Sequence, residues 1–502
     1  MIEMDYLTIR NNQVVPLGDI PLISYDFFKE TNLRLMEESE ARHCVNYFGY
    51  RESGQIRLIC CIADDTDHSI FISSAITPAD AVLDSFTRQN ANFERFEREI
   101  HENFGVEYRD HPWLKPLRYS YDRFDSSQKM ENYPFVKVES DELHEVGVGP
   151  IHAGIIEPGH FRFICNGEQI MHLEIQLGYQ HRGIERLFLQ KSRVEERTIL
   201  AENIAGDTVV GHTTAFANLW ESLIGAETTN SLNFSRTIAL ELERIAIHTG
   251  DLAAICGDIA YQLGNSVYGR LRTPIVNFFQ EWGGNRLAKG LVRVGRMNYP
   301  FTPELGDRLL DIFNAYEPDF NEITRKLWRL PSALSRMERT GELTTGEARE
   351  IGVVGMAARA SGLERDVRKS HPGNLYHEIS HQPVVKHHGD VYSRAQIRKE
   401  EIKQSISYIK ELLQDIPDNN DVNTAGMIIQ PNVFVISLVE GWRGEICHCA
   451  VTGKKGDLLL YKIKDPSFHN WMALAQAVRN NEISDFPVCN KSFNLSYCGH
   501  DL

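Results

Sequence analysis

Residues 161–187, FRFICNGEQIMHLEIQLGYQHRGIERL, mark the point at which this 502-residue chain changes from strand to helix. Two β-rich runs, Phe161 to Cys165 and Ile170 to Ile175, flank the sequence NGE at 166–168. A glycine-containing turn between two apolar runs is a strong signal for a β-hairpin. The sequence becomes helical near Arg182, so we predict a hairpin that leads directly into helix.

Helical patterning dominates the chain from this point to about Gln414. One such segment, Ser235 to Leu263, carries its apolar residues near helical spacing. A bundle of helices is the natural way to bury so much apolar helix surface. Strand-like sequence returns near the end of the chain and is followed by a short helix; the strands are Val433 to Leu438, Glu445 to Ala450 and Leu458 to Ile463, and the helix is around Trp471 to Arg479.

The N-terminal part of the chain predicts a small mixed domain. Three β-rich runs indicate a hairpin followed by a third strand. These runs are Val45 to Tyr50, Arg57 to Ala63 and Ser69 to Ser74. Ala79 to Phe104 predicts a helix with a break near Asn90 to Asn92, and Gly105 is well placed to end it.

A polar, irregular stretch from Tyr121 to Val146 separates this part from the rest of the chain and predicts a linker. We therefore expect a small N-terminal α/β domain over residues 1–120, a linker over 121–145 and a larger domain over 146–502. The larger domain should combine a central helical bundle with peripheral β-strands. The fold class that follows is α+β.

The composition of the chain excludes several kinds of protein. Its 53 Lys and Arg residues face 69 Asp and Glu residues, and the formal net charge of −16 argues against binding to nucleic acid or anionic lipid. No apolar run approaches the roughly 20 residues of a membrane-spanning helix. The N-terminal sequence also lacks the features of a secretory signal. We therefore expect a cytoplasmic protein that contacts the membrane only through partner proteins.

Familiar cofactor and catalytic motifs give no support to several other functions. The nine cysteines include no C-x-x-C pair, so a zinc or iron–sulfur site held by this chain alone is not expected. No G-x-x-x-x-G-K-[ST] phosphate loop and no G-x-S-x-G nucleophile elbow occurs. Nucleotide binding and serine-hydrolase chemistry are therefore unsupported.

Residues Phe96 to Pro112, FEREIHENFGVEYRDHP, resemble the E-R-E-x-x-D-x-F-G-x-x-F-x-G-H-P element of the small hydrophilic subunit of complex I. The acidic and basic start of this stretch would fit any amphipathic helix. Phe104-Gly105 and His111-Pro112, however, follow at the spacing of the family. Asn103 departs from the pattern, since the family usually has Asp there. That subunit often precedes, or is fused to, the quinone-site subunit of complex I.

The second half of the chain resembles the large subunit of group 4 [NiFe] hydrogenases and the related quinone-site subunit of complex I. Six motifs occur in family order; they are GPIHAG (Gly149 to Gly154), LGYQHRGIERL (Leu177 to Leu187), RASGLERDVRK (Arg359 to Lys369), GDVYSRAQIR (Gly389 to Arg398), EGWRGE (Glu440 to Glu445) and DPSFHNW (Asp465 to Trp471). Ala153 and Arg186 replace a proline and a lysine of the family. Ordered matches of this kind carry far more weight than one isolated motif.

The resemblance also locates the nickel ligands, which in the hydrogenases are four cysteines. The first pair belongs to E-R-x-C-G-x-C-x-x-x-H, and here Ala205 and Thr208 stand at the two cysteine positions. The second pair belongs to a C-terminal D-P-C-x-x-C element, and here Ser496 and Gly499 stand there. Cys498 is one residue out of register, and we expect it to be a small buried residue. Because nickel–iron chemistry requires thiolates, we expect no nickel here. We also expect no cofactor bound by this chain, apart from a possible quinone.

The quinone site of complex I is not reproduced either. Its Tyr aligns near Gly206 and its second His near Ile156, and neither residue type is present. A quinone remains one candidate acceptor, but chemistry identical to that of complex I is not expected. The polar residues predicted to converge on the former metal site, and so to be its catalytic residues, are Asp207, Thr208, His212, Arg443, Ser496 and His500.

Each of these polar residues could also be buried or solvated without taking part in catalysis, and the alternative differs from residue to residue. His212 and Arg443 match family motif positions, although a buried structural hydrogen bond would also explain either residue. Asp207 and His500 have no family counterpart, and solvated side chains are the alternative for both. His181, Arg182 and Glu185 are expected at the partner interface, with Arg182 and Glu185 forming an ion pair there. Cys447, His448 and Cys449 alternate on one strand, which favours core packing.

The resemblance implies a redox subunit of a membrane-attached complex, of the energy-converting hydrogenase-related or NADH dehydrogenase-like type. Its electrons would come from a [4Fe–4S] cluster on an iron–sulfur partner subunit. Integral-membrane, ion-translocating subunits would be its other partners and would hold it at the inner face of the cell membrane. The alternative is a structural adaptor that docks the iron–sulfur subunit to the membrane module. An active [NiFe] hydrogenase or a complex I-type quinone reductase has less support.

Overall fold

The computed structural model describes residues 5–152, 156–424 and 426–502. The elements of its N-terminal region are β1 (Leu7–Ile9), β2 (Val15–Pro16), β3 (Leu22–Ile23), α1 (Tyr25–Glu38), β4 (Arg42–Glu52), β5 (Gln55–Asp64), β6 (Ser69–Thr77), β7 (Val82–Asp84), α2 (Glu94–Phe104) and β8 (Glu107–Arg109). A five-stranded sheet has the order β1-β6-β5-β4, with β3 parallel to β6. The predicted hairpin and third strand are confirmed as β4, β5 and β6.

Aromatic side chains hold the two helices against one face of this sheet. Phe28 of α1 and Phe96 of α2 are buried there, and Tyr47 of β4 contacts the rings of Phe28, Phe86 and Phe93. The β4–β5 turn fits its sequence, because Ser53 and Gly54 both have positive φ angles, as a tight hairpin turn requires. The opposite face of the sheet packs against the C-terminal region.

The first part of the helix predicted over Ala79 to Phe104 is wrong. Residues 82–84 form β7, which pairs in parallel with β8, and the α-helix itself begins at Glu94. Glu97 of α2 accepts hydrogen bonds from the backbone N–H groups of Phe86 (2.8 Å) and Thr87 (3.2 Å) and from the Ser85 hydroxyl (2.6 Å). These bonds hold the preceding segment against the side of α2, so that it cannot continue the helix. Gly105 does end α2, with a φ of 80°.

The C-terminal region starts with a three-stranded antiparallel sheet, continues as helices and ends with a second sheet. Its first elements are β9 (His144–Val148), β10 (His160–Asn166), β11 (Gln169–Gln176), α3 (Ile184–Gln190), α4 (Val194–Ala201), α5 (Val209–Ile224), α6 (Asn230–Asp258), α7 (Gln262–Gly283), β12 (Val292–Arg293) and β13 (Arg296–Met297). The later elements are α8 (Pro303–Leu327), α9 (Pro331–Met337), α10 (Thr345–Glu350), α11 (Gly355–Ala360), α12 (Val367–Ser370), α13 (Val391–Leu412), β14 (Val433–Glu440), β15 (Glu445–Thr452), β16 (Leu458–Lys464), α14 (Ser467–Ala477), α15 (Phe486–Phe493) and α16 (Tyr497–Asp501). The predicted hairpin is confirmed as β10 and β11.

Helix α6 lies at the centre of the bundle and packs against α5, α7, α13 and α15. It is buried around nearly its whole circumference, as expected of a core helix. The Thr229 hydroxyl accepts a hydrogen bond from the Leu232 N–H at its start. The helix predicted over Ser235 to Leu263 is therefore right in type, but α6 ends at Asp258 and Leu263 belongs to α7.

The last sheet joins the two regions of the chain. Its order is β16-β15-β14-β2, so the short N-terminal strand β2 completes a sheet of C-terminal strands. Cys61 of the N-terminal sheet is buried in the same apolar cluster as Cys447 and Cys449 of β15. The prediction that Cys447 and Cys449 pack in a core is confirmed. The fold class is α+β, as predicted. Among the described residues, no helix combines the length and apolarity needed to cross a bilayer.

Candidate functional site

A chain of four buried polar side chains, here called the buried relay, is centred on His212 in the first turn of α5. His212 Nε2 lies 3.0 Å from Asp465 Oδ2, and His212 Nδ1 lies 3.1 Å from His448 Nε2. His448 Nδ1 lies 2.8 Å from the Tyr461 hydroxyl oxygen. All four side chains are essentially inaccessible to solvent. Strands β15 and β16 therefore present His448 and Tyr461 to α5, while Asp465 directly follows β16.

One arrangement of protons satisfies every bond in the relay. Asp465 is ionised: burial opposes its charge, but the His212 hydrogen bond and the Arg443 charge lower its pKa to about 2. His212 then donates from Nε2 to Asp465 and accepts at Nδ1 from His448, which in turn accepts from the Tyr461 hydroxyl. Burial holds the pKa of His448 well below its usual range, so this ring is neutral. Four groups thus form one continuous, directional hydrogen-bond chain.

Arg443 anchors a second group on the loop between β14 and β15. Its Nη2 donates to Asp207 Oδ2 (2.8 Å), its Nη1 to the Thr208 hydroxyl oxygen (3.2 Å) and its Nε to the Asn494 carbonyl (2.7 Å). Burial alone would lower the pKa of Arg443, but Asp207 and Asp465 raise it, so the guanidinium stays charged. The side chain of Asp207 is 37% exposed, whereas that of Arg443 is 1% exposed. Asp207 therefore connects this buried cation with solvent.

The tight β14–β15 loop that places Arg443 depends on a glycine. Gly444 has a φ of 143°, and a Cβ on it would lie 2.7 Å from the Cα of Gly355. The Gly441 and Gly444 backbones hydrogen-bond to each other across the turn. A larger residue at Gly444 would therefore force the loop away from the bundle.

Protein atoms fill the space beside Gly499, one of the four positions at which the resemblance implies a metal ligand. A Cβ built on Gly499 would lie 2.8 Å from Asp465 Cγ and 2.9 Å from Ser496 Oγ. Ser496 itself caps α16, because its hydroxyl oxygen accepts from the Gly499 N–H at 2.9 Å. The Asp465 carboxylate thus occupies the space that a side chain at position 499 would need.

The donor set at these positions does not fit a nickel–iron centre. Ala205, Thr208, Ser496 and Gly499 provide no thiolate. Burial raises the pKa of Cys498 to about 12, so its sulfur stays a thiol, 3.4 Å from the Ser496 hydroxyl. Within 5–152, 156–424 and 426–502, no group of three or more His, Cys, Asp or Glu side chains is arranged to hold a metal ion. Ala153 and Gly154 of the GPIHAG motif lie outside the described residues.

His500 is buried, so the alternative that its side chain is simply solvated is wrong. Its Nδ1 lies 2.8 Å from Asp501 Oδ1, its Nε2 lies 3.3 Å from Arg95 Nη1, and its ring stacks on Phe468. Packing of α2 over α16 covers it, which the terminal position in the sequence did not indicate. His500 thus bonds to a different set of side chains from His212 and Arg443, and the six predicted residues do not form one cluster.

The ion pair predicted between Arg182 and Glu185 is wrong. Arg182 donates instead to the backbone carbonyls of Asn203, Ile204 and Cys498. Glu185 accepts from the Lys462 ammonium (3.0 Å) and from the Ile463 N–H (2.8 Å). The physical reason is Gly183, whose left-handed conformation at the start of α3 turns the two side chains apart.

The other expected interface residue, His181, packs its ring against Tyr121 and hydrogen-bonds to the Asp501 carbonyl at 2.9 Å. His181 and Glu185 also line a cavity of about 420 Å³ between the two regions of the chain, together with Glu99, Arg118 and Lys462. These residues are therefore at a junction within the chain, and their role toward a partner stays a prediction.

Three relay residues were missed by sequence reasoning. Asp465 belongs to the DPSFHNW motif but was not selected, and His448 was assigned to the core. The available signal for Asp465 was its position directly after a strand, in a family motif. For Tyr461 there was none, because only the pairing of β15 with β16 brings it to His448.

A further pattern, HEISH at residues 377–381, matches the H-E-x-x-H motif of zinc peptidases. That chemistry requires both histidines on one face of a helix, but this segment is not helical. His377 is exposed, whereas His381 is buried and bonded to Asp366 and Tyr408. The two rings therefore do not form a metal site.

Residues of two family motifs, RASGLERDVRK and EGWRGE, also form a buried ionic network beside the site. Arg359 lies 2.7 Å from both Glu401 and Glu440, and Arg368 lies 2.7 Å from Asp366. All of these side chains are buried. The network ties α11, α12 and α13 to β14, the strand that leads into the Arg443 loop.

Comparison with known proteins identifies relatives for both regions. The 30 kDa subunit family of respiratory-chain NADH dehydrogenase matches residues 23–137, and the 49 kDa subunit family matches residues 264–433. Hydrogenase-4 component G of Escherichia coli (strain K12) is 28% identical over 367 residues, which are 73% of this chain and 63% of that protein. Formate hydrogenlyase subunit 5 of the same organism is 27% identical over 368 residues, 73% of this chain and 64% of that protein.

A fused relative is also similar. The C/D polypeptide of NADH-quinone oxidoreductase from Phocaeicola vulgatus is 26% identical over 402 residues, covering 73% of this chain and 76% of that protein. The chain spans slightly less than two thirds of the length of the two Escherichia coli relatives.

Proposed function

Because the chain belongs to the complex I and membrane-bound hydrogenase superfamily, with a 30 kDa-type and a 49 kDa-type region in one polypeptide, we propose that it is a redox subunit of a membrane-attached oxidoreductase. Electrons arrive from a [4Fe–4S] cluster on an iron–sulfur partner subunit and reduce an acceptor, for which a quinone is one candidate. The reaction is coupled to ion-translocating membrane subunits, which hold the chain at the inner face of the membrane. The names of the hydrogenase, formate hydrogenlyase and NADH-quinone oxidoreductase relatives support this proposal.

The observation that carries the proposal is the buried relay, whose Asp465 lies against Gly499, a position at which the resemblance implies a metal ligand. A structural core position does not require four linked titratable groups, and burying them without partners would be unfavourable. Here each group donates a hydrogen bond to the next, from Tyr461 through His448 and His212 to the Asp465 carboxylate, so a change of charge at one group changes the hydrogen bonds of the others.

The Arg443 group gives the relay its electrostatic setting. Arg443 lowers the pKa of Asp465 without a direct hydrogen bond, because its own donors are directed to Asp207, Thr208 and Asn494. The cation stabilises the relay in its ionised state and would also stabilise negative charge that develops beside it during reduction. Partly exposed Asp207 connects the Arg443 group with solvent.

Two substitutions test the redox role. His212→Gln interrupts the relay, and Arg443→Met removes the cation while keeping an apolar side chain of similar length. Electron flow from the reduced cluster to the acceptor is measured in the assembled complex and should fall on the order of 10²-fold in each variant. Arg193→Gln, which changes an exposed side chain, is the control and should retain wild-type flow.

An adaptor without chemistry of its own is the second candidate. The observation that favours it is that Asp465 and Ser496 fill the space at Gly499, which leaves little room beside the relay. In that case both variants should assemble with the iron–sulfur subunit and keep wild-type electron flow. Loss of stability of ~1 kcal/mol per deleted hydrogen bond would then be their only effect.

A further inference from the structure

A cavity of about 450 Å³ lies between the two regions of the chain and includes none of the relay residues. Its walls come from α2 of the N-terminal region and from β11, α10 and α14 of the C-terminal region. Clefts of roughly 300–1,000 Å³ are typical of sites for small organic molecules. The volume and the position between two structural units therefore suit a ligand.

The main polar feature of this cavity is the guanidinium of Arg95. Its side chain is 12% exposed, and its Nε is buried without a hydrogen-bond partner. Its hydrogen bond runs from Nη1 to His500 Nε2, at 3.3 Å. The nearest carboxylate oxygen, on Glu94, is 3.8 Å from Nε and beyond hydrogen-bond distance. Burial lowers the pKa of Arg95 to about 10, so it is still a cation at neutral pH.

Arg98, one helical turn further along α2, shows what a fully satisfied arginine looks like here. Its three nitrogens donate to the Lys115 carbonyl (2.8 Å), the Glu94 carboxylate (2.7 Å) and the Pro116 carbonyl (2.8 Å). Glu94 is thus already committed to Arg98. Arg95 keeps donors available at the cavity wall, and a buried donor without a partner destabilises the protein.

The other carboxylates of the cavity do not compensate this charge. Glu174 accepts from the Lys115 ammonium (2.5 Å) and from the Val136 N–H (2.9 Å), and Glu347 accepts from the Thr344 hydroxyl and N–H. Glu350 is exposed to solvent. The buried Nε2 of His172 is a second polar atom without a partner, and burial lowers the pKa of this ring, which is therefore neutral. The remaining wall is largely apolar and includes Trp113, Leu173, Ile351, Trp471, Met472 and Ala475.

We propose that this cavity binds a small organic carboxylate with a planar apolar body. The carboxylate supplies the hydrogen-bond acceptors and the negative charge that Arg95 lacks, and the apolar body covers the tryptophan and methionine side chains. His172 provides one further hydrogen bond. The site is separate from the buried relay, and the assignment does not depend on the redox function.

Calorimetric titration of the full chain with 2-naphthoate tests this site, and 2-naphthamide serves as a matched uncharged probe. The wild-type chain should bind 2-naphthoate more tightly than 2-naphthamide. Arg95→Gln should weaken 2-naphthoate binding about 10- to 100-fold, the range expected for losing hydrogen bonds to a charged group, and should leave 2-naphthamide binding unchanged. Arg193→Gln, at an exposed position, should behave like the wild type.

A second variant covers the case in which Arg95→Gln does not fold. Ala475→Phe fills the cavity from α14 without changing Arg95, and it should abolish 2-naphthoate binding while circular dichroism reports a native fold. The proposal is overturned by equal binding of the two probes to the wild type, by undiminished 2-naphthoate binding to a folded variant of either kind, or by no binding at millimolar probe.

Discussion

Restoring a side chain at position 499 should destabilise the chain, because Asp465 now occupies that space. In Gly499→Ala the new Cβ would lie 2.8 Å from Asp465 Cγ and 2.9 Å from Ser496 Oγ, distances that real Cβ atoms essentially never show. Asp465 must move, and its hydrogen bond with His212, now 3.0 Å, must lengthen or break. Overpacking together with the loss of a charged hydrogen bond should lower the free energy of unfolding by about 2–4 kcal/mol.

Urea denaturation followed by tryptophan fluorescence measures this change. Gly206→Ala is a matched control, since a Cβ there meets no atom within 4 Å and Gly206 belongs to the other former ligand motif. The control should change the free energy of unfolding by less than about 0.5 kcal/mol. In an Asp465→Ala background the cost of Gly499→Ala should be smaller, because the carboxylate is gone and only the contact with Ser496 Oγ remains. Equal costs in both backgrounds would refute the claim that Asp465 fills the ligand position.

Three further outcomes follow from the sequence and the structure. Elemental analysis of the purified complex should find no stoichiometric nickel, and about one nickel per chain with hydrogen-dependent dye reduction would contradict this. Limited proteolysis should cleave first within residues 121–145. The two fragments should still coelute in gel filtration, because Cys61 of one region and Cys447 and Cys449 of the other share one apolar core. Separation of the fragments would refute this shared core. Burial raises the pKa of Glu243 to about 8, so the folded state holds this proton more tightly than the unfolded state and stability should fall as pH rises from about 5 to 8. Glu243→Gln should lessen that fall in urea denaturation, and an unchanged pH dependence would exclude Glu243 as its source.

Local patterns predicted the elements whose signals lie within a few residues. The β10–β11 hairpin follows from the NGE turn between two apolar runs, and α6 follows from its helical periodicity. The strands of the last sheet were also found, because β-rich runs of this length mark buried strands. Helix α2 was predicted too long, since the Glu97 contacts that hold residues 85–87 out of the helix depend on packing.

The site was harder to predict than the fold. Motif positions selected His212, Arg443, Thr208 and Ser496, and all four side chains are buried; their catalytic role stays a prediction. Spacing in the sequence could not show that Asp465 fills the space at Gly499, because the contact joins the end of β16 to α16. The burial of His500 likewise depends on α2, which belongs to the other region of the chain.

Strand β2 also constrains how the chain reaches its native state. Val15 and Pro16 pair with Phe434 and Val433, so two neighbouring strands of one sheet lie near opposite ends of the polypeptide. During synthesis the N-terminal sheet can form early, but β2 must wait unpaired until β14 has left the ribosome. Closing such a long loop is entropically unfavourable and slow compared with forming local contacts. Completion of this sheet is therefore a late folding step. The pairing of β2 with β14 can occur only after the helices between them in the sequence have been synthesised.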